Sequence, residues 1–337
     1  MPVSGQPPAP RPWDLGTSPW LGLTAPVPGR TRLIISNDFS GNPDGLFQLA
    51  HHLVSPSVDV KAVIGSRVLG NDYFGVPDTS DQAVQAAKDL FKTMGVRDPG
   101  TIVKGARDGL ANATQPQDSP GAWLIIAEAM RDDVVEPLVV VAGGGLTDIA
   151  SAYMREPAIA RRLTLVWVGG KGYDEPWSTG AETNFAADPI AAQIVFNASD
   201  LTVWQIPRDV YRRLMVSDTE LKLRLMRAGH LGAYLYGKVW QVMGQAAASR
   251  PPCETYTLAD LALVGVTALK AFHGDDTWSS PFETRPAPTV EADGMYRNNP
   301  DGRSIRVYTG LDTRLVLEDF FAKLEFFAQW QRGAAAG

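Results

Sequence analysis

Along this chain, short runs of apolar residues alternate with longer stretches in which apolar side chains recur every three or four positions. The runs are RLIIS (32–36), VDVKAVI (58–64), TIVK (101–104), PLVVVA (137–142), LTLVWV (163–168) and LTVWQI (201–206). They are short and rich in valine and isoleucine, which predicts strands. Between them, SDQAVQAAKDLFKTM and GAWLIIAEAMRDD carry the helical period. Strand and helix in alternation predict an α/β fold, an open and mostly parallel sheet flanked by helices. In such sheets ligands bind beyond the carboxyl ends of the strands.

After about residue 218 the pattern turns mainly helical, through DTELKLRLMRAGHLGAYLYGKVWQVMGQAAAS, TLADLALVGVTALKAF and DTRLVLEDFFAKLEFFAQWQ. A polar, turn-rich piece at 274–304 leads into one more strand, SIRVYTG. No repeat and no long linker interrupts this order, so residues 31–332 read as one domain. Residues 1–30 are too rich in proline and glycine to form a helix and read as an arm, which Trp13, Trp20 and Leu21 could anchor to the surface or to a neighbouring subunit.

The chain has 337 residues, enough for a large α/β core. Its formal charge of −6 and the absence of a long basic run argue against nucleic-acid binding. No apolar stretch is long enough to suggest a membrane span, and the start lacks the form of a secretion signal, so a cytoplasmic address is expected. The single cysteine, Cys253, excludes an intramolecular disulfide and a cysteine-based zinc cluster. The four histidines, His51, His52, His230 and His273, form no H-E-x-x-H.

Four segments carry candidate chemistry. D-F-S-G-N-P-D-G (38–45) follows the first strand; VVVAGGGLTDIASAYMREP contains a glycine loop and Thr147 at a helix start. VWVGG (166–170) precedes AETNFAADPIAAQIVF (181–196), and TLADLALVGV (257–266) places Asp260 in an apolar helical stretch. In this order and spacing they resemble the inosine-uridine nucleoside hydrolase family over about residues 31–325. Its most specific part is G-G, then E-x-N, then D-P-x-A-A. The resemblance implies hydrolysis of nucleoside N-glycosidic bonds on an open α/β fold, a bound calcium, and dimers or tetramers.

Carried over residue by residue, the family's loop pattern D-x-D-x-x-x-D-D falls on Asp38, Ser40, Asp44 and Gly45. Its second and fourth aspartates are calcium ligands, and both are absent here. The other two ligands would fall on Thr147, through its main-chain carbonyl, and on Asp260. With so little of the shell left, no metal or other cofactor is expected; a residual site would consist of Thr147 and Asp260, with Asn42 and Asp38 able to repair it. The ribose contacts, in contrast, all find a match, in Asp44, Glu182, Asn184 and Asp260. Carboxylates bind vicinal hydroxyls and stabilise the positive charge that develops on a sugar during bond cleavage. The family's proton-accepting aspartate falls on Ser40, a poor base, which leaves Asp38 or Asp44 as the catalytic carboxylate.

A histidine that assists the leaving base in some members is Ala259 here. His273, Tyr173, Trp177, Tyr236 and Trp240 are aromatic candidates for contacting that group, with packing as the plainer role. His51 and His52 read as solvated or packed, Asp148 as a helix cap, and Asp188 with Pro189 as a cap with proline in the first turn. An unpaired carboxylate at Asp260 would be costly in an apolar helix, so it caps or faces a ligand. The expected function is N-glycosidic hydrolysis of a nucleoside or related small glycoside by a homo-oligomer with no nucleic-acid or membrane partner. The alternative is a non-catalytic or metal-independent homologue that binds sugars or nucleosides.

Overall fold

A computed structural model describes residues 9–21, 30–69, 79–97, 100–173, 180–246, 253–269 and 280–333. The strands of its central sheet are β1 (Thr31–Asn37), β2 (Val58–Gly65), β3 (Ile102–Lys104), β4 (Leu138–Ala142), β5 (Leu163–Val168), β6 (Thr202–Ile206), β7 (Phe282–Pro286) and β8 (Ser304–Tyr308). They lie in the order β7-β8-β6-β5-β4-β1-β2-β3. Every pairing is parallel except that of the edge strand β7 with β8. The expected open, mostly parallel sheet is therefore the observed one. The chain reverses its direction of progress across the sheet between β1 and β4, and such a switch point opens a crevice at the strand ends.

Strand periodicity divides the core into two layers. Leu33, Ile35, Val139, Val141, Val166 and Val168 face one layer, and Ile34, Leu138, Val140, Ala142, Leu165 and Trp167 face the other. The first layer is closed by helices α1 (Asp44–Leu53), α2 (Thr79–Met94), and later ones; the second by α3 (Pro120–Ala129), α4 (Thr147–Arg155) and two short helices, α5 (Thr183–Ala187) and α6 (Pro189–Gln193). After β6 come α7 (Arg208–Tyr211), α8 (Asp218–Arg227), α9 (Gly229–Ala246), α10 (Leu261–Thr267) and α11 (Thr313–Gln331). The helical stretch from 218 breaks into α8 and α9 at Gly229, whose φ of 60° is open to glycine at little cost.

β7 was not expected, because its sequence FETRP is polar and ends in proline. Antiparallel pairing at a sheet edge asks for neither two buried faces nor every N–H, so such a sequence can serve. The arm's anchors pack on the chain's own α11: Trp20 is fully buried and stands edge-on to Trp13 and Phe327 at 4.9 and 5.0 Å. No helix among the described residues is long and apolar enough to cross a membrane.

Candidate active site

The crevice at the switch point is a cavity of about 670 Å³, and its walls come from seven separate parts of the chain. The loop after β1 supplies Asp38 and Asp44, the loop after β4 supplies Gly143, and β5 ends there with Val168. Glu182 and Asn184 stand at the start of α5, Tyr211 and Arg212 at the end of α7, and Asp260 just before α10. The structure thus brings Asp38, Asp44, Glu182, Asn184 and Asp260 to one cavity.

Local chemistry explains how each is held. Asp44 opens α1, and the nearby backbone N–H groups of Asp260, Asp44, Gly45 and Ala259 favour its charged form. Even so, burial raises its pKa to about 6. Asp260 is raised well above the carboxylate range, by burial first and then by the charges of Asp44 and Asp38; the Asn37 amide, 2.9 Å from its Oδ2, works the other way. Glu182 has both oxygens engaged. Oε2 accepts from Gly170 N at 2.8 Å and Phe185 N at 3.0 Å, and Oε1 accepts from the Tyr211 hydroxyl at 2.7 Å. Asn184 donates Nδ2 to the carbonyls of Val168 and Gly143, at 2.8 and 3.1 Å, which leaves its Oδ1 as an acceptor for a ligand.

Other expected residues lie elsewhere. Thr147 does not line the cavity: its hydroxyl donates to Asp188 at 2.7 Å, and the loop residue that reaches the cavity is Gly143. Asp188 and Asp148 are engaged by local backbone and hydroxyl donors, Asp188 accepting from Leu110 N, Ala191 N and Thr147 Oγ1, and Asp148 from Ala106 N and Ser119 Oγ. Ser40 donates to the carbonyl of Thr79 at 2.9 Å. Gly45 is covered by Asn37, whose Oδ1 would lie 2.8 Å from a Cβ at that position. Tyr173 stacks on Tyr296 at 4.8 Å, Tyr236 donates to Asp218, Trp240 is exposed, and none of the three lines the cavity. Trp177 and His273 lie outside the described residues. His51 and His52 are buried, as packed residues rather than solvated ones.

Asn37, Tyr211 and Arg212 were missed. A polar residue closing an apolar strand is the one local signal for Asn37; Tyr211 and Arg212, in RDVYRRL, have none. Burial and the neighbouring Glu182 carboxylate push the Tyr211 hydroxyl well above its ordinary pKa, so it stays protonated and donates. Tyr211→Phe would leave a buried carboxylate oxygen without that donor. The expected result is a loss of about 1–3 kcal/mol in urea unfolding and a fall of about tenfold in any turnover that uses Glu182.

The profile of the inosine-uridine preferring nucleoside hydrolase family matches residues 33–317. The chain belongs to that family. It is 40% identical over 90 residues to the inosine-uridine preferring nucleoside hydrolase of Crithidia fasciculata, a segment covering 26% of this chain and 27% of that protein. It is 29% identical over 191 residues to the pyrimidine-specific ribonucleoside hydrolase RihA of Citrobacter koseri, covering 50% of this chain and 58% of that one. The matched segments thus span less than two thirds of these curated relatives. Among solved structures, a plant nucleoside hydrolase superposes with a TM-score of 0.64 at 18% identity, covering 88% of this chain and 99% of its own. A purine-preferring ribonucleoside hydrolase from Gardnerella vaginalis gives 0.63 at 20%, covering 89% and 100%. These two likenesses establish the nucleoside hydrolase fold.

Family membership overturns the expectation of no cofactor, because nucleoside hydrolases of this family are calcium-dependent. The residual pair expected to hold the ion is not brought together at the cavity, since Asp260 lines it and Thr147 does not. The donors that do face the cavity suit calcium in chemistry and charge. Asp38, Asp44 and Asp260 offer oxygen alone, as a hard cation requires, and Asp44 and Asp260 are buried, with the charges of Asp44 and Asp38 bearing on Asp260. Among the described residues no three acidic or histidine side chains already converge as a closed ligand set. The fit is therefore one of donor type alone, and Asp38, Asp44 and Asp260 are the oxygen donors of the cavity that could contribute to holding the ion.

Proposed function

We propose that this protein hydrolyses the N-glycosidic bond of a ribonucleoside or a related glycoside. The observation that carries this reading is the convergence of Asp38, Asp44, Asn184 and Asp260 on one cavity, with Glu182 locked beside them. Asp44, Asp260 and Asn184 Oδ1 accept hydrogen bonds from the sugar hydroxyls and hold the ring. The surrounding carboxylates favour the positive charge that grows at the anomeric carbon as the bond to nitrogen lengthens. Water forms the new C–O bond, its proton passes to Asp38 or Asp44, and the C–N electron pair leaves with the base, which takes up a proton. Calcium, were it bound beside Asp38, Asp44 and Asp260, would supply positive charge that offsets the repulsion among them.

A second reading, a protein that binds the sugar without turnover, is favoured by Ser40 being turned to Thr79 and by Gly45 lying under Asn37. One experiment separates the two. Purified protein is assayed for base release from inosine, uridine, adenosine and cytidine, with added calcium and with chelator, beside calorimetric titration with D-ribose. Release that falls on chelation is the expected result. Ribose binding without release from any nucleoside would support the second reading, and neither binding nor release would overturn both.

A further inference from the structure

Behind the cavity floor, a line of buried polar side chains runs through an otherwise apolar layer between β1, α1 and α10. Asn37 Nδ2 lies 2.9 Å from Asp260 Oδ2 and 3.1 Å from Gln48 Oε1. Gln48 Nε2 is 2.5 Å from His52 Nδ1, His52 Nε2 is 2.9 Å from Thr267 Oγ1, and Thr267 Oγ1 is 2.6 Å from the carbonyl of Leu263. Asn37, Gln48, His52 and Thr267 are each at most 2% exposed. Packing alone would favour leucine or valine at such positions.

The direction of every link follows from the last one. A backbone carbonyl can only accept, so the single Thr267 proton goes to Leu263 and Thr267 must accept from His52. Burial keeps the His52 ring neutral, so it carries its one proton on Nε2 and offers Nδ1 as a bare acceptor. Gln48 must then turn its amide nitrogen to His52 and its oxygen to Asn37. That oxygen takes one Asn37 proton and leaves the other for Asp260. The cost of this orientation is visible: Asn37 Oδ1 points toward Gly45, buried and without a partner. An unpaired buried oxygen costs about 1–3 kcal/mol, so some stronger demand fixes the amide this way round.

We infer that Thr267, His52, Gln48 and Asn37 form a one-way chain of hydrogen bonds that orients the Asp260 carboxylate toward the sugar. They are positioning residues: only the end of the chain meets a cavity residue, and the anchor lies one turn beyond Leu263 on α10. The inference rests on the reading of Asp260 as a sugar ligand. A neutral amide is the donor that holds this carboxylate without giving it a permanent counter-ion.

Two measurements test it. In 15N NMR of the whole protein, His52 is expected as the Nε2–H tautomer with unprotonated Nδ1; an Nδ1–H tautomer overturns the chain. Thr267→Val removes the anchor at constant shape, and Thr267→Ser keeps the hydroxyl. The valine variant is expected to weaken D-ribose binding by about tenfold, with the serine variant within about twofold of the parent. In an Asp260→Ala background the valine change should have no further effect on affinity. A valine variant of lower melting temperature but parental ribose affinity makes the chain merely structural and overturns the inference. If the parent binds no ribose, it is the functional reading that falls, and the Asn37 side-chain amide resonances then decide: they shift in Thr267→Val if the chain is coupled, and their failure to shift overturns it.

Discussion

Asp44→Asn is expected to lower turnover about a thousandfold while making the calcium-free protein more stable at pH 7. Asp44 is buried and its pKa is raised to about 6, so holding it ionised at neutral pH works against folding. Roughly two pKa units correspond to about 3 kcal/mol. The gain on substitution is smaller, about 1–2 kcal/mol, because one oxygen that accepts backbone N–H groups becomes an amide donor. The sign with pH follows from linkage. A carboxyl whose folded pKa lies above its unfolded value contributes stability below about pH 4, and this is lost as the pH rises to about 6. The stability difference between variant and parent should therefore be near zero at pH 4 and open toward pH 7.

The parent's own pH curve will not reveal this directly. Burial lowers His51 to about 4 and His52 well below its ordinary value, so these residues remove stability as the pH falls from about 6.5, the opposite sense. The difference curve cancels their contribution. Turnover should fall by about three orders of magnitude, since the substitution removes a charge from beside the developing positive centre. Chelator-treated samples in urea, from pH 4 to 7.5, with parallel kinetics, provide the check. Added calcium should shrink or reverse the stability gain, because the parent carboxylate then has a counter-charge. A variant that keeps parental turnover would remove Asp44 from the mechanism.

The sheet was legible because a parallel strand covered on both faces must be apolar almost throughout, as RLIIS and PLVVVA are. The polar edge strand β7 escaped the same reading, because one-sided antiparallel pairing makes no such demand. In the site, Asp38, Asp44, Glu182, Asn184 and Asp260 stood out as polar groups at strand ends and helix starts. Thr147 misled: a threonine at the first turn of α4 looks the same whether or not its main chain faces the cavity, and the residue of that loop that does is Gly143. What could not be read locally was partnership. Asn37 meets Asp260 across 223 positions, and Tyr211 meets Glu182 across 29, so neither residue's role exists until the fold is complete.

Gly143→Ala should cost both stability and activity, for a reason unrelated to backbone freedom, since φ at this glycine is not positive. The residue leaves β4 with its N–H donated to the Ser36 carbonyl at 3.0 Å and its own carbonyl accepting from Asn184 at 3.1 Å. Those bonds fix the backbone, so it cannot retreat. A Cβ there would lie 2.2 Å from Asn37 Nδ2 and 2.8 Å from Asp260 Oδ2, far inside contact distance. Overpacking of this kind costs about 1–3 kcal/mol, and an ångström of displacement at a group holding the reacting ring lowers kcat/KM by about a hundredfold. Asn37→Ala in the same chain removes the nearer obstacle. The double variant should regain much of the stability in urea unfolding, but not the activity, because Asp260 would then have lost the amide that holds it. Parental kinetics in the Gly143→Ala protein would mean that Asn37 and Asp260 do not converge beside this loop, and the arrangement of the cavity floor would have to be redrawn.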